Sequence, residues 1–247
     1  MIEILNCGAF SFAKDITRQN EDAVLLPMPC GDGFIFAVAD GVGSYAGAKA
    51  AAQTAIKSLS TFKYPDVLDP ETVLNSIKNE ISELILGNPD AAKAATTLSY
   101  CFINSDYIHM THVGDTRVYI KSGIKLKLLT KDHTQHQELL DDGLYTKKEL
   151  KSLPGKNMLT SAISKSLPLR YQYTTIPFDD LAEENGTLTL VIMSDGAHNF
   201  WEHRPRFSSN TMNNANTFAT NMHKRIQRLG PTDDHSLIAA SFHRTVS

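Results

Sequence analysis

The chain has 247 residues, with 24 Lys+Arg against 27 Asp+Glu, a formal net charge of −3 and a hydrophobic fraction of 42%. These are ordinary values for a globular protein, and the length buries a core without disulfide or metal staples. No Lys/Arg block offers a footprint for nucleic acid, no apolar run reaches the roughly 18 residues of a membrane span, and Cys7, Cys30 and Cys101 have neither the even count of a disulfide framework nor the CxxC spacing of a zinc site.

The first element in chain order is a strand, the β-branched and aromatic run from Phe34 to Ala39. A helix is expected from Gly47 to Phe62, where Ala48, Ala51, Ala52, Ala55, Ile56 and Leu59 step by three and four and give a small-residue face. A second helix starts at Pro70 with Asp69 as its N-cap, its stripe made by Val73, Leu74, Ile77, Ile81, Leu84 and Ile85. Strands at Thr97 to Ile103, Tyr107 to Val113 and Arg117 to Ile120 are separated by Asn104-Ser105-Asp106 and followed by Lys121-Ser122-Gly123, which predicts an antiparallel meander. Residues 131 to 186 are rich in charge and poor in β-branched side chains, the texture of a surface subdomain with short helices. A strand over Thr187 to Ser194 follows. A helix from about Thr211 to Leu229, with Arg225 and Arg228 near its C-terminal end, and a strand over Ser236 to Phe242 complete the chain. Helices and strands are segregated rather than alternating, which predicts an α+β protein with antiparallel sheets. The start, MIEILNCGAFSFAKD, lacks signal-peptide composition, and a cytoplasmic protein is expected.

Carboxylates recur where an apolar run ends or a turn begins: Asn20-Glu21-Asp22, Asp40-Gly41, Gly114-Asp115-Thr116-Arg117, Ser194-Asp195-Gly196 and Asp233-Asp234-His235-Ser236. Any one of these has a plain explanation, since Asp favours turns and helix N-caps. Five together point to shared cations. Hard oxygen donors without Cys, and without His at metal-ligand spacing, select Mg²⁺ or Mn²⁺ over Zn²⁺, and so many carboxylates imply more than one ion. Asp40 and Asp195 follow nearly identical patterns, an apolar strand running into Asp-Gly, whose glycine lets backbone approach whatever the Asp binds. Other residues read more simply: His133 and His136 as a solvated pair on a helix, His109 and His112 as opposite faces of one strand, Trp201 as a packing anchor. His198 stands near Asp195 in sequence and within reach of metal-bound waters.

In order and spacing, NEDA (20–23), ADGVG (39–43), ATT (95–97), VGDTR (113–117), SDG (194–196) and DDHS (233–236) resemble the motif series of the metal-dependent PPM phosphatases, the type 2C serine/threonine protein phosphatases, in their compact bacterial form. The resemblance spans Asn20 to Phe242. It implies a four-layer α-β-β-α sandwich of two antiparallel sheets flanked by helices, one domain over 1–247 with a flap subdomain at roughly 131–186. It also implies two Mg²⁺ or Mn²⁺ ions. Asp40 would bridge them, Asp195 and Asp233 would complete the first ion's ligands, and the Gly41 carbonyl would bind the second, with Asp22 and Glu21 holding its waters. Asp115, helped by Asp195, would take a third, looser ion. The implied reaction is hydrolysis of phosphoserine and phosphothreonine in proteins by hydroxide bridging the ions, with Asp40, Asp195 and Asp115 as catalytic residues. No phosphoenzyme is needed, in keeping with a sequence that has no CxxxxxR loop around any cysteine and no P-loop. Phosphoprotein substrates, an opposing serine/threonine kinase and a monomeric state are expected with it.

Two positions depart from the family. Its phosphate-gripping Arg stands four residues before the Glu of NED, which is Thr17 here, so Arg18 becomes the substrate-binding candidate through a one-residue deletion, ahead of Lys14. The His that many members carry after Asp-Gly is missing from Val42 to Ala46, leaving a water on an ion as the expected general acid. Thr96 and Thr97 match a family pair beneath the metals, although Thr pairs in strands are commonly simple β-formers. Two readings stay open beside the phosphatase: an inactive module that keeps the fold to bind a partner, and a small-molecule phosphoesterase.

Overall fold

The six apolar runs become interior strands of two antiparallel sheets in the computed structural model, which describes residues 1–42, 47–87, 91, 93–150 and 152–245. In chain order the elements are β1 (Ile2–Phe12), β2 (Asp22–Cys30), β3 (Gly33–Asp40), α1 (Ala48–Thr61), α2 (Pro70–Gly87), β4 (Ala95–Thr96), β5 (Leu98–Ile103), β6 (Tyr107–Val113), β7 (Arg117–Ser122) and β8 (Lys125–Leu128). There follow α3 (Gln135–Asp141), α4 (Lys147–Leu150), β9 (Ile163–Ser164), β10 (Gln172–Pro177), α5 (Phe178–Leu181), β11 (Thr187–Met193), α6 (Asp195–His203), α7 (Ser209–Met212), α8 (Ala215–Leu229) and β12 (His235–Arg244). One sheet runs β1-β12-β11-β7-β8 and the other β10-β6-β5-β3-β2, while β4 and β9 form a small ladder between loops.

Strand alternation sorts the side chains into three apolar layers. Phe36 and Val38 of β3 point between the sheets and meet Cys101, Ile192, Ile238 and Phe242. Their neighbours Ile35, Ala37 and Ala39 point outward, onto Ala51, Ala52, Ala55 and Leu59 of α1 and Leu74 and Ile77 of α2. Alanine facing alanine lets α1 lie close to the sheet, as its small-residue face predicts. On the far side, Tyr119, Val191 and Leu237 carry α6 and α8 through Trp201, Phe218 and Met222. Each large side chain so buried contributes about 1.5–3 kcal/mol. The result is the four-layer α-β-β-α order.

Several expectations change. The meander does not stay in one sheet: β5 and β6 pair with each other, but β7 crosses at Gly114 to the opposite sheet, between β11 and β8. Gly114 makes that corner with φ 99°, a conformation costly for other residues, and Thr97 fills the space where a side chain would stand. The expected helix from Thr211 is broken at Asn213–Asn214, because the Asn214 side chain accepts from the Thr217 N–H (2.9 Å) and caps α8 afresh. Arg225 is buried rather than a solvated partner of the helix C-terminus. Leu84 of the apolar stripe is exposed, while the side chain of Ile85 lies outside the described residues. Asp69 caps α2 as expected, accepting from the Glu71 N–H (3.1 Å) and the Thr72 hydroxyl (2.6 Å). Of residues 131–186, β10 belongs to the second sheet as its edge strand, paired with β6. Among the described residues no helix is long and apolar enough to cross a membrane.

Candidate active site

Three chain reversals and a long loop meet at one end of the sandwich, and each carries a carboxylate. Asp40 is the last residue of β3 and pairs across the ladder with Asp22, the first residue of β2. The backbone of Asp40 is gripped from both sides: its N–H donates to Thr97 Oγ1 (3.1 Å), and its carbonyl accepts from Thr96 Oγ1 (2.9 Å) and the Thr97 N–H (2.8 Å). The Thr pair therefore does more than favour a strand; it holds the end of β3. Behind it, Thr97 Oγ1 lies 2.6 Å from Thr116 Oγ1, Ser99 Oγ donates to the Thr116 carbonyl (2.7 Å), and His112 Nδ1 stands 2.9 Å from Ser99 Oγ.

Asp115 sits at the corner where β6 hands over to β7. His198 Nε2 donates to its carbonyl (3.1 Å), and the Gly114 N–H donates to His133 Nδ1 (3.1 Å). His133 thus buttresses the corner from outside α3, which begins after the Thr134 N-cap; it is not on a helix with His136. Its ring stacks on His112 with centroids 5.0 Å apart. Arg117 forms a two-toothed pair with Asp132 (2.9 and 2.6 Å), so it does not neutralise Asp115 through a salt bridge.

Asp195 opens α6. The Ser194 hydroxyl before it accepts from no N–H of the helix; it donates to Asp22 Oδ2 (2.8 Å) and accepts from the Ser236 N–H (2.9 Å), tying β2, β11 and β12 together. The Asp-Gly pairs prove to have a packing reason. A Cβ at Gly196 would stand 2.0 Å from the Asp234 carbonyl oxygen, and one at Gly41 would stand 2.6 Å from that of Ala48 and 2.7 Å from that of Glu21. Each glycine thus admits neighbouring backbone at close range.

A cavity of about 270 Å³ opens at this end, walled by Glu21, Asp40, Gly41, Asp115, Asp195 and Asp233, with Arg18 on its rim. Asp22 is not on the wall; it lies behind Asp40, buried, with Oδ1 unpartnered. Asp234 holds the N-terminal loop in place, its two oxygens accepting from the N–H groups of Lys14 (2.7 Å) and Glu21 (2.6 Å). Lys14 therefore meets the site through its backbone, while the Arg18 side chain faces the cavity 3.4 Å from Glu21. Residues 43–46, where the family's His would fall, and Gly43 of the ADGVG motif lie outside the described residues.

Sequence reasoning missed Asn157 and Leu159 on the wall and Lys156 beside it. They come from an irregular stretch before β9 with no motif to mark it. The clamp of Asp234 was hidden behind its neighbour Asp233, and the buried Ser99–His112 pair had no signal beyond two polar residues in apolar strands.

Burial and mutual repulsion dominate the electrostatics. Asp40 is held well above the ordinary carboxylate range, by burial first and then by Asp22, Asp195, Asp115 and Asp233. Burial pushes Asp22 up to about 7, against hydrogen bonds from Ser236 and Ser194. Burial, then Asp195, pushes Asp115 up to about 8, and burial with Asp233 takes Asp195 to about 6. Such a cluster calls for a counter-charge. Its donors are oxygens throughout, and Asp22 keeps a buried lone pair without a partner, so the residues present fit hard divalent cations. Among the described residues no three His, Cys, Asp or Glu side chains close on one point tightly enough to hold an ion unaided.

The protein phosphatase 2C family model matches residues 17–239. The serine/threonine phosphatase stp of Listeria welshimeri is 28% identical over 174 residues, 67% of this chain and 67% of that protein. The serine/threonine protein phosphatase PstP of Mycobacterium tuberculosis is 25% identical over 166 residues, 65% of this chain but 31% of that protein, so the match spans about a third of the mycobacterial relative. Among solved structures, the catalytic domain of PstP in complex with two manganese ions superimposes with a TM-score of 0.77 at 21% identity, covering 99% of this chain and 100% of that one. Stp1 of Staphylococcus aureus does so with 0.79 at 15% identity, covering 99% and 96%. The fold is shared with both, and a family match that takes in every motif from Asn20 to Ser236 shows that this chain belongs to the protein phosphatase 2C family.

Proposed function

We propose that this chain hydrolyses phosphoserine and phosphothreonine esters in proteins, with Mg²⁺ or Mn²⁺ as its cofactor. The observation that carries the reading is the convergence of Arg18, Glu21, Asp40, Gly41, Asp115, Asp195 and Asp233, from segments spread over the whole chain, on one cavity. Asp40, Asp195, Asp233 and the Gly41 carbonyl would hold two ions, Glu21 and Asp22 would orient their waters, and Asp115 would hold a third. When bound, such ions supply a water that is nucleophilic near neutral pH and a counter-charge for the ester's oxygens.

The chain's own groups do the rest. Thr96 and Thr97 fix the Asp40 backbone, Ser194 fixes Asp22, and Asp234 fixes the loop that presents Arg18 to the substrate phosphate. Arg18 is the cationic side chain on the cavity wall among the described residues, and its fork matches two phosphate oxygens. A groove of about 710 Å³ leaves the cavity past Asp115, Asn157 and Asp195, between α6 and the segment carrying α3 and α4. Being continuous with the cavity, the groove offers room for the residues of a peptide next to the phosphorylated one. On this reading residues 1–247 form one domain, the part of 131–186 ahead of β10 is its flap, and a serine/threonine kinase supplies the substrates. The unpaired Cys7, Cys30 and Cys101 suit a reducing cytoplasm, and the balanced charge gives no footprint for nucleic acid; a monomer acting away from the membrane completes the reading.

The test is Mn²⁺-dependent turnover of a phosphothreonine peptide beside a phosphotyrosine peptide and small phosphate esters. The expected result is preference for phosphothreonine, abolished by chelation. Turnover of none of them would return the chain to a binding module, and preference for small esters to a phosphoesterase. Arg18→Ala should mainly raise KM, losing about 1.5–3 kcal/mol in kcat/KM, the worth of a hydrogen bond to a charged group. Lys14→Ala should lose less, and unaltered kinetics for the Arg18 variant would make it a solvated loop residue.

A further inference from the structure

α6 begins at the acidic cavity with Asp195 and, nine residues later, ends beside a second cavity of opposite character. At 1.5 Å per residue the two lie about 13 Å apart along the helix. The second cavity has a volume of about 560 Å³ and lies between the 204–208 segment and α8, walled by Arg204, Arg206, Lys224, Arg225 and Arg228 with Asn221. No carboxylate stands on its wall among the described residues, although the chain as a whole carries net charge −3.

Arg225 forms the floor. Its guanidinium is buried, donates to the carbonyls of Arg204 and Arg206 (both 2.7 Å), and lies 3.8 Å over the Phe207 ring. Those bonds fix the 204–208 segment against α8 and so set two of the wall's cations in place. They leave the positive charge without a counter-ion, and burial with the neighbouring Arg204 and Arg228 already pulls the Arg225 pKa down. Arg204, Arg206, Lys224 and Arg228 are exposed, and none forms an ion pair among the described residues. By contrast Arg117, Lys121, Lys131, Arg170 and Arg244 all do.

We infer that this cavity binds a small soluble ligand carrying several adjacent phosphate groups. Four exposed cations and a buried fifth around a concave space of that volume match a chain of phosphates, where a single phosphate would engage only part of the wall. Arg225 covers one face of Phe207, Trp201 and Phe218 lie against the same ring, and no other aromatic side chain stands on the wall among the described residues. Recognition therefore rests on the phosphate chain, and an inorganic oligophosphate and a nucleoside triphosphate are equivalent occupants. This inference does not depend on the phosphatase reading of the first cavity.

The test is calorimetric titration of the full chain with sodium tripolyphosphate in excess EDTA, which keeps divalent ions from both the acidic cavity and the probe. One saturable site is expected, weakened by added salt. Arg204→Ala/Arg228→Ala should weaken it at least about tenfold, as loss of hydrogen bonds to charged groups does. These two side chains make no hydrogen bond among the described residues, so the fold should persist; Lys224→Glu, the second variant, should have the same effect. Lys125→Ala/Lys127→Ala, which removes two exposed charges from β8, should leave the affinity unchanged. ATP should bind as tightly as tripolyphosphate, and orthophosphate much more weakly. No saturable binding, equal weakening by the β8 variant, orthophosphate binding as tightly as tripolyphosphate, or a nucleobase preference would each overturn the inference.

Discussion

Asp40-Gly41 and Asp195-Gly196 look alike in sequence, each an apolar strand running into Asp-Gly, yet the chain supports them by different means. At Asp40 the strand simply ends, and the residue is held by hydrogen bonds: Thr96 and Thr97 saturate its backbone, with Thr116, Ser99 and His112 stacked behind. At Asp195 a helix begins, and the residue is held by packing: Gly196 lies flush against the Asp234 carbonyl, and Ser194 anchors the turn to β2 and β12. One carboxylate hangs on a polar network and the other on a steric fit. Their common letters fit the cation-binding task proposed for both, and the surroundings report how each is held.

Breaking the steric side should cost most. Gly196→Ala puts a Cβ 2.0 Å from a backbone oxygen that cannot move without displacing β12, and the expected loss exceeds about 4 kcal/mol of stability. Gly41→Ala, with nearest backbone atoms at 2.6–2.7 Å, should lose less. Thermal unfolding of both variants measures the difference, and a Gly196→Ala protein as stable as wild type would refute the packing argument. On the polar side, Thr97→Val leaves the Asp40 N–H and the Thr116 hydroxyl short of a partner, costing about 1–3 kcal/mol. Its metal affinity should fall with its stability, whereas a merely β-forming Thr97 would let Val serve equally well.

The effect of pH is the most specific. Burial, then the neighbouring His133, pushes His112 down to about 3, so the folded protein keeps it neutral while the unfolded chain protonates it near 6.5. The unfolded state then binds more protons below that pH, and stability is lost as pH falls. Between pH 6.5 and pH 4, the advantage of wild type over His112→Gln should shrink by about 1.4 kcal/mol per pH unit. Other titrating groups cancel in that difference, and a constant gap would mean that His112 is protonated in the fold.

The sequence exposed the interior of the fold and missed its rims. All six strands read from apolar runs are interior; of the six missed, β1, β8, β10 and β2 are the edges of the two large sheets, and β4 and β9 are two-residue strands of the small ladder. An edge strand pairs on one side and faces water on the other, so it needs no continuous apolar run and tolerates the residues that discourage pairing. Pro27 and Pro29 do this in β2, where the register shifts between Leu25 and Met28. Lys125 and Lys127 do it in β8, and alternating exposed residues in β10. The meander failed for a related reason: the local turn chemistry of Gly114-Asp115-Thr116 marks a reversal without saying which sheet receives the next strand. The site was more legible than the fold, because its carboxylates must stand at strand ends in fixed sequence patterns. Asn157 and Leu159 on the cavity wall, and the hydrogen-bonded clamp of Asp234 on the Lys14 and Glu21 N–H groups, left no such pattern.

Whether these carboxylates together hold divalent cations is read from Mn²⁺ titration of the purified wild type and Asp40→Asn beside their turnover of a phosphothreonine peptide. Wild type should bind at least two ions, and Asp40→Asn should lose high-affinity binding and all but about 1% of turnover while staying folded, since a ligand matters at least as much as the outer residues worth 10–100-fold. Undiminished Mn²⁺ binding and turnover in folded Asp40→Asn would mean that Asp40 holds no ion.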